Sequence, residues 1–140
     1  MSGTFLVDTG PLVAYLVCAS QHHDWTCEQM KRLEAPLLTC EPVLSEAGFI
    51  LLRHRQDPDA LLEMLEIGML QIAFSLEDET QAVRHLVRRY RDVPMSIADA
   101  CLVRMSELKE RSTVFTLDTD FRIYRRHGRK LIPTLMPPGI

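Results

Sequence analysis

Many of the patterns that mark well-defined functional classes are missing from this chain. Its four cysteines, Cys18, Cys27, Cys40 and Cys101, form no C-x-x-C pair, so a zinc knuckle is not expected. There is no glycine-rich phosphate loop, no H-E-x-x-H and no Ser–His–Asp arrangement. No apolar run is long enough to span a bilayer. The start of the chain is fairly apolar, but Asp8 and Pro11 interrupt it and no basic segment precedes it, which makes a poor signal peptide. An excess of positive charge is lacking too. The net charge of −3 argues mildly against nucleic-acid binding over the whole surface, although an acidic site can mask a local basic patch.

What remains is an ordinary globular balance. The chain has 140 residues, 46% hydrophobic and 25% charged, enough for one domain with one good-sized core. No internal repeat, low-complexity tract or linker divides it. Residues 1–135 read as a single domain and 136–140, which contain Pro137, Pro138 and Gly139, as a short tail. The unpaired cysteines read as reduced thiols of a cytoplasmic protein with no membrane association. Cys18, Cys27 and Cys101 sit in helical patterns, Cys40 at a strand end.

Strand and helix signals alternate. Phe5-Leu6-Val7 reads as a buried strand, and Leu12, Val13, Leu16 and Val17 then recur at helical spacing. A helix is expected over about 24–33, a strand at Leu37-Leu38-Thr39, and a helix opened by Pro42. Asp57-Pro58 signals a further helix start, with Gly68 near that helix's end. Residues 70–74 read as a third strand, and Ser75 to Asp78 as a capping box for the helix carrying Ala82, Val83, Leu86, Val87 and Tyr90. Ser96 caps another helix, and 113–117 is the clearest strand. A short helix from about Phe121, a basic turn around Gly128 and a last strand at Leu131-Ile132 follow. Such alternation predicts a parallel sheet covered by helices.

Within that pattern the acids stand out. In open α/β sheets, ligands bind beyond the carboxyl ends of the strands. Asp8 directly follows the first strand and Asp118 the 113–117 strand. Glu46 lies about one turn into its helix, and Asp99 three residues after Ser96. Each has a plain alternative, as a cap or a solvated charge. Four such acids able to share one sheet edge point instead to a divalent cation, since hard cations prefer oxygen ligands, and to metal-assisted phosphate chemistry. Asp120 is the alternative to Asp118. Thr9 and Thr116 are hydroxyls placed to hydrogen-bond a ligating carboxylate, while Ser96 reads as a cap. His22-His23-Asp24 reads as structural or surface, because adjacent helical residues face different ways.

Two basic runs accompany the acids. One holds Arg122, Arg125, Arg126, His127, Arg129 and Lys130, the other Arg84, Arg88, Arg89 and Arg91. Either is a solvated surface or a phosphate-backbone contact, with Arg122, Arg125 and Arg126 the RNA-binding candidates.

Four segments together resemble the PIN-domain ribonucleases, and most closely the VapC-type toxins of bacterial toxin–antitoxin pairs. They are Phe5 to Leu12, Pro42 to Ala47, Asp92 to Ala100 and Phe115 to Phe121, in that order, within a likeness covering about residues 4 to 133. The resemblance implies a three-layer α/β/α sandwich around a central parallel sheet. It also implies acids that bind Mg²⁺ or Mn²⁺ and hydrolyse RNA, a homodimer, and inhibition by a small antitoxin protein. By motif, Asp8, Glu46 and Asp99 match the three principal acids, and Asp118, or Asp120 in its place, the fourth. Two rival readings remain. A haloacid-dehalogenase-type phosphatase would need a second aspartate where Gly10 stands, and a non-catalytic PIN-like module would bind RNA or protein without cleaving.

Overall fold

The computed structural model describes residues 3–140. Its main sheet has five parallel strands in the order β3-β2-β1-β4-β7. These are β1 (Thr4–Val7), β2 (Leu37–Thr39), β3 (Leu70–Ile72), β4 (Ser112–Phe115) and β7 (Thr134–Leu135). Six helices flank it: α1 (Thr9–Leu16), α2 (His23–Arg32), α3 (Glu41–Arg53), α4 (Asp59–Glu66), α5 (Thr80–Arg89) and α6 (Ile97–Leu108). The chain steps outward from β1 to β2 to β3, then jumps back to lay β4 on the other side of β1. This reversal opens a crevice at the carboxyl ends of β1 and β4, the place where such sheets bind ligands. Paired register continues to Val7 opposite Phe115, so Asp8 and Thr116 leave the sheet side by side.

The expected three-layer α/β/α sandwich is what forms. β1 and β4 are apolar because both their faces are covered, as parallel strands require. Leu6, Val7, Val114 and Phe115 are fully buried, and Trp25 of α2 packs edge-on to Phe115 at 5.7 Å. α6 is buried nearly all round, from Ala98 through Ser106, and rests on β1, β4, α3 and α5. Gly68 ends α4 in a left-handed conformation (φ 84°), with its N–H bonded to Leu65 O and that of Met69 to Met64 O.

Several sequence expectations shift. The last strand is not Leu131-Ile132. Lys130–Leu131 (β6) pairs antiparallel with Arg125–Arg126 (β5) in a separate ribbon, and residues 134–135 complete the main sheet. Pro133 lacks an N–H but its carbonyl accepts from Val114 N (2.9 Å), which an edge strand tolerates. Ser75 caps only the turn before α5, through Asp78 N at 3.2 Å, and the helix itself starts at Thr80. Cys18 lies in the turn beyond α1 rather than in a helix. Cys18, Cys27, Cys40 and Cys101 are all free thiols. Among the described residues no helix is long and apolar enough to cross a membrane.

Candidate active site

Asp8 ends β1 and caps α1. Its backbone N–H still bonds to Phe115 O (3.0 Å), continuing the ladder, while Oδ1 accepts from Thr9 N at 2.7 Å. Oδ2 accepts from the Thr116 hydroxyl at 2.7 Å. The carboxyl is therefore fixed by the two strands that meet at the crevice, and it is only 4% exposed. Gly10 lets α1 begin this close, since a Cβ there would stand 3.1 Å from the Leu117 Cβ.

The other acids arrive from three different elements. Ser96 Oγ accepts from Asp99 N (3.0 Å), so the cap sets the first turn of α6 and turns the Asp99 carboxylate into the crevice. There Oδ2 accepts from the Tyr124 hydroxyl at 2.8 Å. Glu46 reaches in from α3. Asp118 follows β4; its N–H bonds to Thr116 Oγ, and its Oδ1 caps a single 3-10 turn, Thr119–Arg122, through Asp120 N, each at 2.9 Å. Asp8, Glu46, Asp99 and Asp118 thus line one cleft of about 290 Å³, with Thr9, Gly10, Ile50 and Leu117 as the rest of its wall. Asp120 is not in that wall; it braces the 3-10 turn, its carbonyl accepting from Ile123 N and Tyr124 N.

Among the described residues, no cationic side chain lines the cleft. Burial pushes the Asp8 carboxyl up from 3.8 to about 7, assisted by the charges of Asp99 and Asp118 and opposed by the Thr116 and Thr9 hydrogen bonds. Burial likewise raises Asp99 to about 6, against the Tyr124 hydrogen bond and with repulsion from Asp118 and Glu46. The two buried carboxyls of Asp8 and Asp99, which resist ionisation and stand beside two further acids, fit a divalent cation, which would relieve both the burial and the repulsion. Among the described residues, no three His, Cys, Asp or Glu side chains stand close enough together to hold a metal ion by themselves. Thr9 Oγ, buried in the cleft wall without a hydrogen-bond partner, is a further group the protein alone does not satisfy.

Several of the other expected residues take parts different from those their sequence suggests. Thr9 meets Asp8 through its backbone N–H rather than its hydroxyl. Arg126 is 8% exposed and spends its guanidinium on Ser106 O, Glu110 O and the Glu110 carboxylate. Arg125 folds back onto the carbonyls of Arg122, Ile123 and Tyr124. Of the three arginine candidates only Arg122 is exposed. His23 packs as a structural residue, its Nδ1 2.8 Å from Ala14 O. Tyr124 is the site residue that sequence reasoning missed. It is fully buried against Tyr90 and Phe121, with ring centroids 5.1 and 5.2 Å away, and its phenol reaches Asp99.

The chain matches the PIN domain over residues 5–126. It belongs to the PIN domain family. A curated relative, ribonuclease VapC26 of Mycobacterium tuberculosis, is 28% identical over 130 residues, spanning 91% of this chain and 92% of that one. The crystal structure of Mycobacterium tuberculosis VapC20, a sarcin–ricin loop cleaving toxin, superposes with a TM-score of 0.73 at 19% identity. That likeness covers 93% of this chain and the whole of the other. As a PIN domain, the chain places its motif acids at the switch point where the sheet reverses.

Thr116 tests how far this site depends on its supports. The Thr116→Val variant loses the donor to Asp8 and leaves the Asp118 N–H without an acceptor. We expect a loss of about 1–3 kcal/mol in urea unfolding at pH 8 and a roughly 10-fold weaker divalent-ion affinity by calorimetry. Wild-type values for both would show that Thr116 is only a packing residue.

Proposed function

We propose that this PIN domain is a divalent-metal-dependent ribonuclease, with Asp8, Glu46, Asp99 and Asp118 as metal-binding and catalytic acids, and that it is the toxin of a toxin–antitoxin pair. The observation that carries the reading is the convergence of these four acids in one cleft with no cationic side chain in its wall among the described residues. Family membership and the curated ribonuclease relative support it. Mg²⁺ or Mn²⁺ held by Asp8, Glu46, Asp99 and Asp118 would supply positive charge at the phosphate and lower the pKa of an attacking water. The protein's own part is positional. Thr116 and the Thr9 N–H hold Asp8, Tyr124 holds Asp99, and Asp118 is tied to the end of β4. Water is the attacking group and the 3′-oxygen leaves, so no protein nucleophile is required. Asp118 rather than Asp120 serves as the fourth acid, because only Asp118 faces the cleft.

A small antitoxin protein, a homodimer and a cytoplasmic location belong to the same proposal. Leu52, Leu62 and Ile67, on and beside α3 and α4, are each about 60% exposed and could be covered by a second copy, which light scattering on the purified protein would detect.

The deciding experiment incubates the protein with structured and unpaired RNAs in Mg²⁺, Mn²⁺ or EDTA, beside the Asp99→Asn variant. Cleavage that needs metal and disappears in the variant is expected. Cleavage that persists in EDTA, or an equally active variant, would overturn the assignment. Tight RNA binding without cleavage under either metal would favour the non-catalytic module.

A further inference from the structure

Arg84, Arg88 and Arg91 recur at i, i+4 and i+7, on one face of α5 and just past its end. All three are exposed. Among the described residues none forms an ion pair, whereas Arg104 pairs with Glu79 and Glu107, and Arg126 with Glu110. A row of unneutralised guanidinium groups costs a helix stability and asks for an anionic partner.

The surface connects that row to the acids. The cleft shares Glu46 and Ile50 with a groove of about 620 Å³ whose walls include Phe49, Ser96 and Ile97. This groove in turn shares Leu76 and Ile97 with one of about 530 Å³, whose walls also include Val87 and the three arginines. Carboxylates, an apolar stretch and guanidinium groups therefore line a channel made of three adjoining grooves, each sharing wall residues with the next. Phe49 and Ile97 are 56% and 55% exposed in its middle.

We propose that this channel is the track of an unpaired RNA strand, with Arg84, Arg88 and Arg91 holding its backbone phosphates and Phe49, Ile97 and Leu76 meeting its bases. The proposal rests on the ribonuclease reading and extends it from the cleft to the substrate's path. A basic groove interleaved with aromatic or apolar side chains is what single strands require, because their base faces are free to stack. A duplex hides those faces and would gain little from the apolar stretch. Both ends of the channel serve the same ligand chemistry, the arginines by direct charge and the acids through their cation.

The test measures binding of a fluorescein-labelled, unstructured oligoribonucleotide in EDTA across a salt series. The wild-type protein is compared with the R84A/R88A/R91A and R84K/R88K/R91K variants and with Phe49→Ala. We expect the triple alanine variant to bind at least about 10-fold more weakly, with the slope of log K against log salt reduced by about 2, since each single-strand phosphate contact contributes roughly 0.7. The lysine variant should keep the slope, and Phe49→Ala should weaken binding with the slope unchanged. Wild-type affinity in the triple alanine variant, or an equal loss with a duplex of the same length, would overturn the track. If the alanine variant misfolds, the Phe49→Ala and duplex comparisons still decide. Mg²⁺-dependent cleavage by the wild-type protein is followed in parallel. Cleavage with arginine-independent binding sinks the track alone, whereas arginine-dependent binding without cleavage sinks the nuclease reading alone.

Discussion

Asp8→Asn is expected to make the metal-free protein more stable at pH 8 while removing the metal-dependent cleavage proposed for it. The two effects have one cause. Asp8 is buried beside Asp99 and Asp118, and its carboxyl is raised from 3.8 to about 7. A raised acid favours folding while it is protonated, so its contribution is complete below pH 3.8 and is lost as pH rises through about 7. Above that the folded protein carries a buried, repelled carboxylate. A rise of that size corresponds to a penalty on the order of 4 kcal/mol at pH 8, an upper bound because water and structural relaxation reduce it. Asparagine keeps the shape and an oxygen for the Thr9 N–H, and it carries no charge. Its Tm without metal should exceed the wild type's by roughly 5–10 °C at pH 8 and by little at pH 4.

The same substitution removes the charge of the most tightly held carboxylate in the cleft, so the proposed cleavage should fall by at least about 10²–10³-fold. Thermal melts from pH 4 to 9, with EDTA and with Mg²⁺, check both halves. In the wild type, Mg²⁺ should restore at high pH the stability that ionisation removes, and in the variant it should add little. A variant less stable than the wild type at pH 8 would show that the charge of Asp8 is already compensated within the protein, and the metal argument would lose its electrostatic basis.

Residues that work through sequence-local geometry are readable from the chain alone. Val7 ends one apolar run and Leu117 the run read as a strand over 113–117, of which β4 takes only the part up to Phe115; the acids that follow, Asp8 and Asp118, lie at the same carboxyl end of the sheet. Ser96 announces the start of α6, and with it the position of Asp99. Residues that depend on tertiary packing are not readable. α6 is buried on nearly every side, so its sequence carries no single apolar stripe. β7 is two residues long and is recruited by β4 across an edge, without any period of its own. Arg126 looks like a surface cation because it stands among cations, yet the carbonyls of Ser106 and Glu110 draw it inward. Tyr124 lies 25 residues from Asp99, inside that same basic run, and only the 3-10 turn capped by Asp118 brings its hydroxyl to the acid.

Tyr124→Phe should therefore impair the site with almost no change in shape. The ring's contacts with Tyr90 and Phe121 survive, and one hydroxyl is removed from a fully buried position. Burial and the neighbouring carboxylate of Asp99 push the Tyr124 phenol well above its ordinary value, so it remains a donor throughout the working range. Its hydrogen bond lowers the Asp99 carboxyl, which nevertheless stays at about 6. Without that bond Asp99 must rise further, and protons compete with the cation at higher pH. Divalent-ion affinity at pH 7 is expected to fall roughly 10–100-fold, the usual cost of losing a group that orients a ligand. The pH of half-maximal cleavage should move upward. At saturating Mn²⁺ and pH 9, where Asp99 is ionised in both proteins, the rates should converge. Recovery of that kind would identify Tyr124 as a residue that positions and tunes Asp99. A loss that persists at high pH and high metal would mean that Tyr124 takes part in the chemistry itself, and an unchanged pH profile would mean that Asp99 does not depend on it.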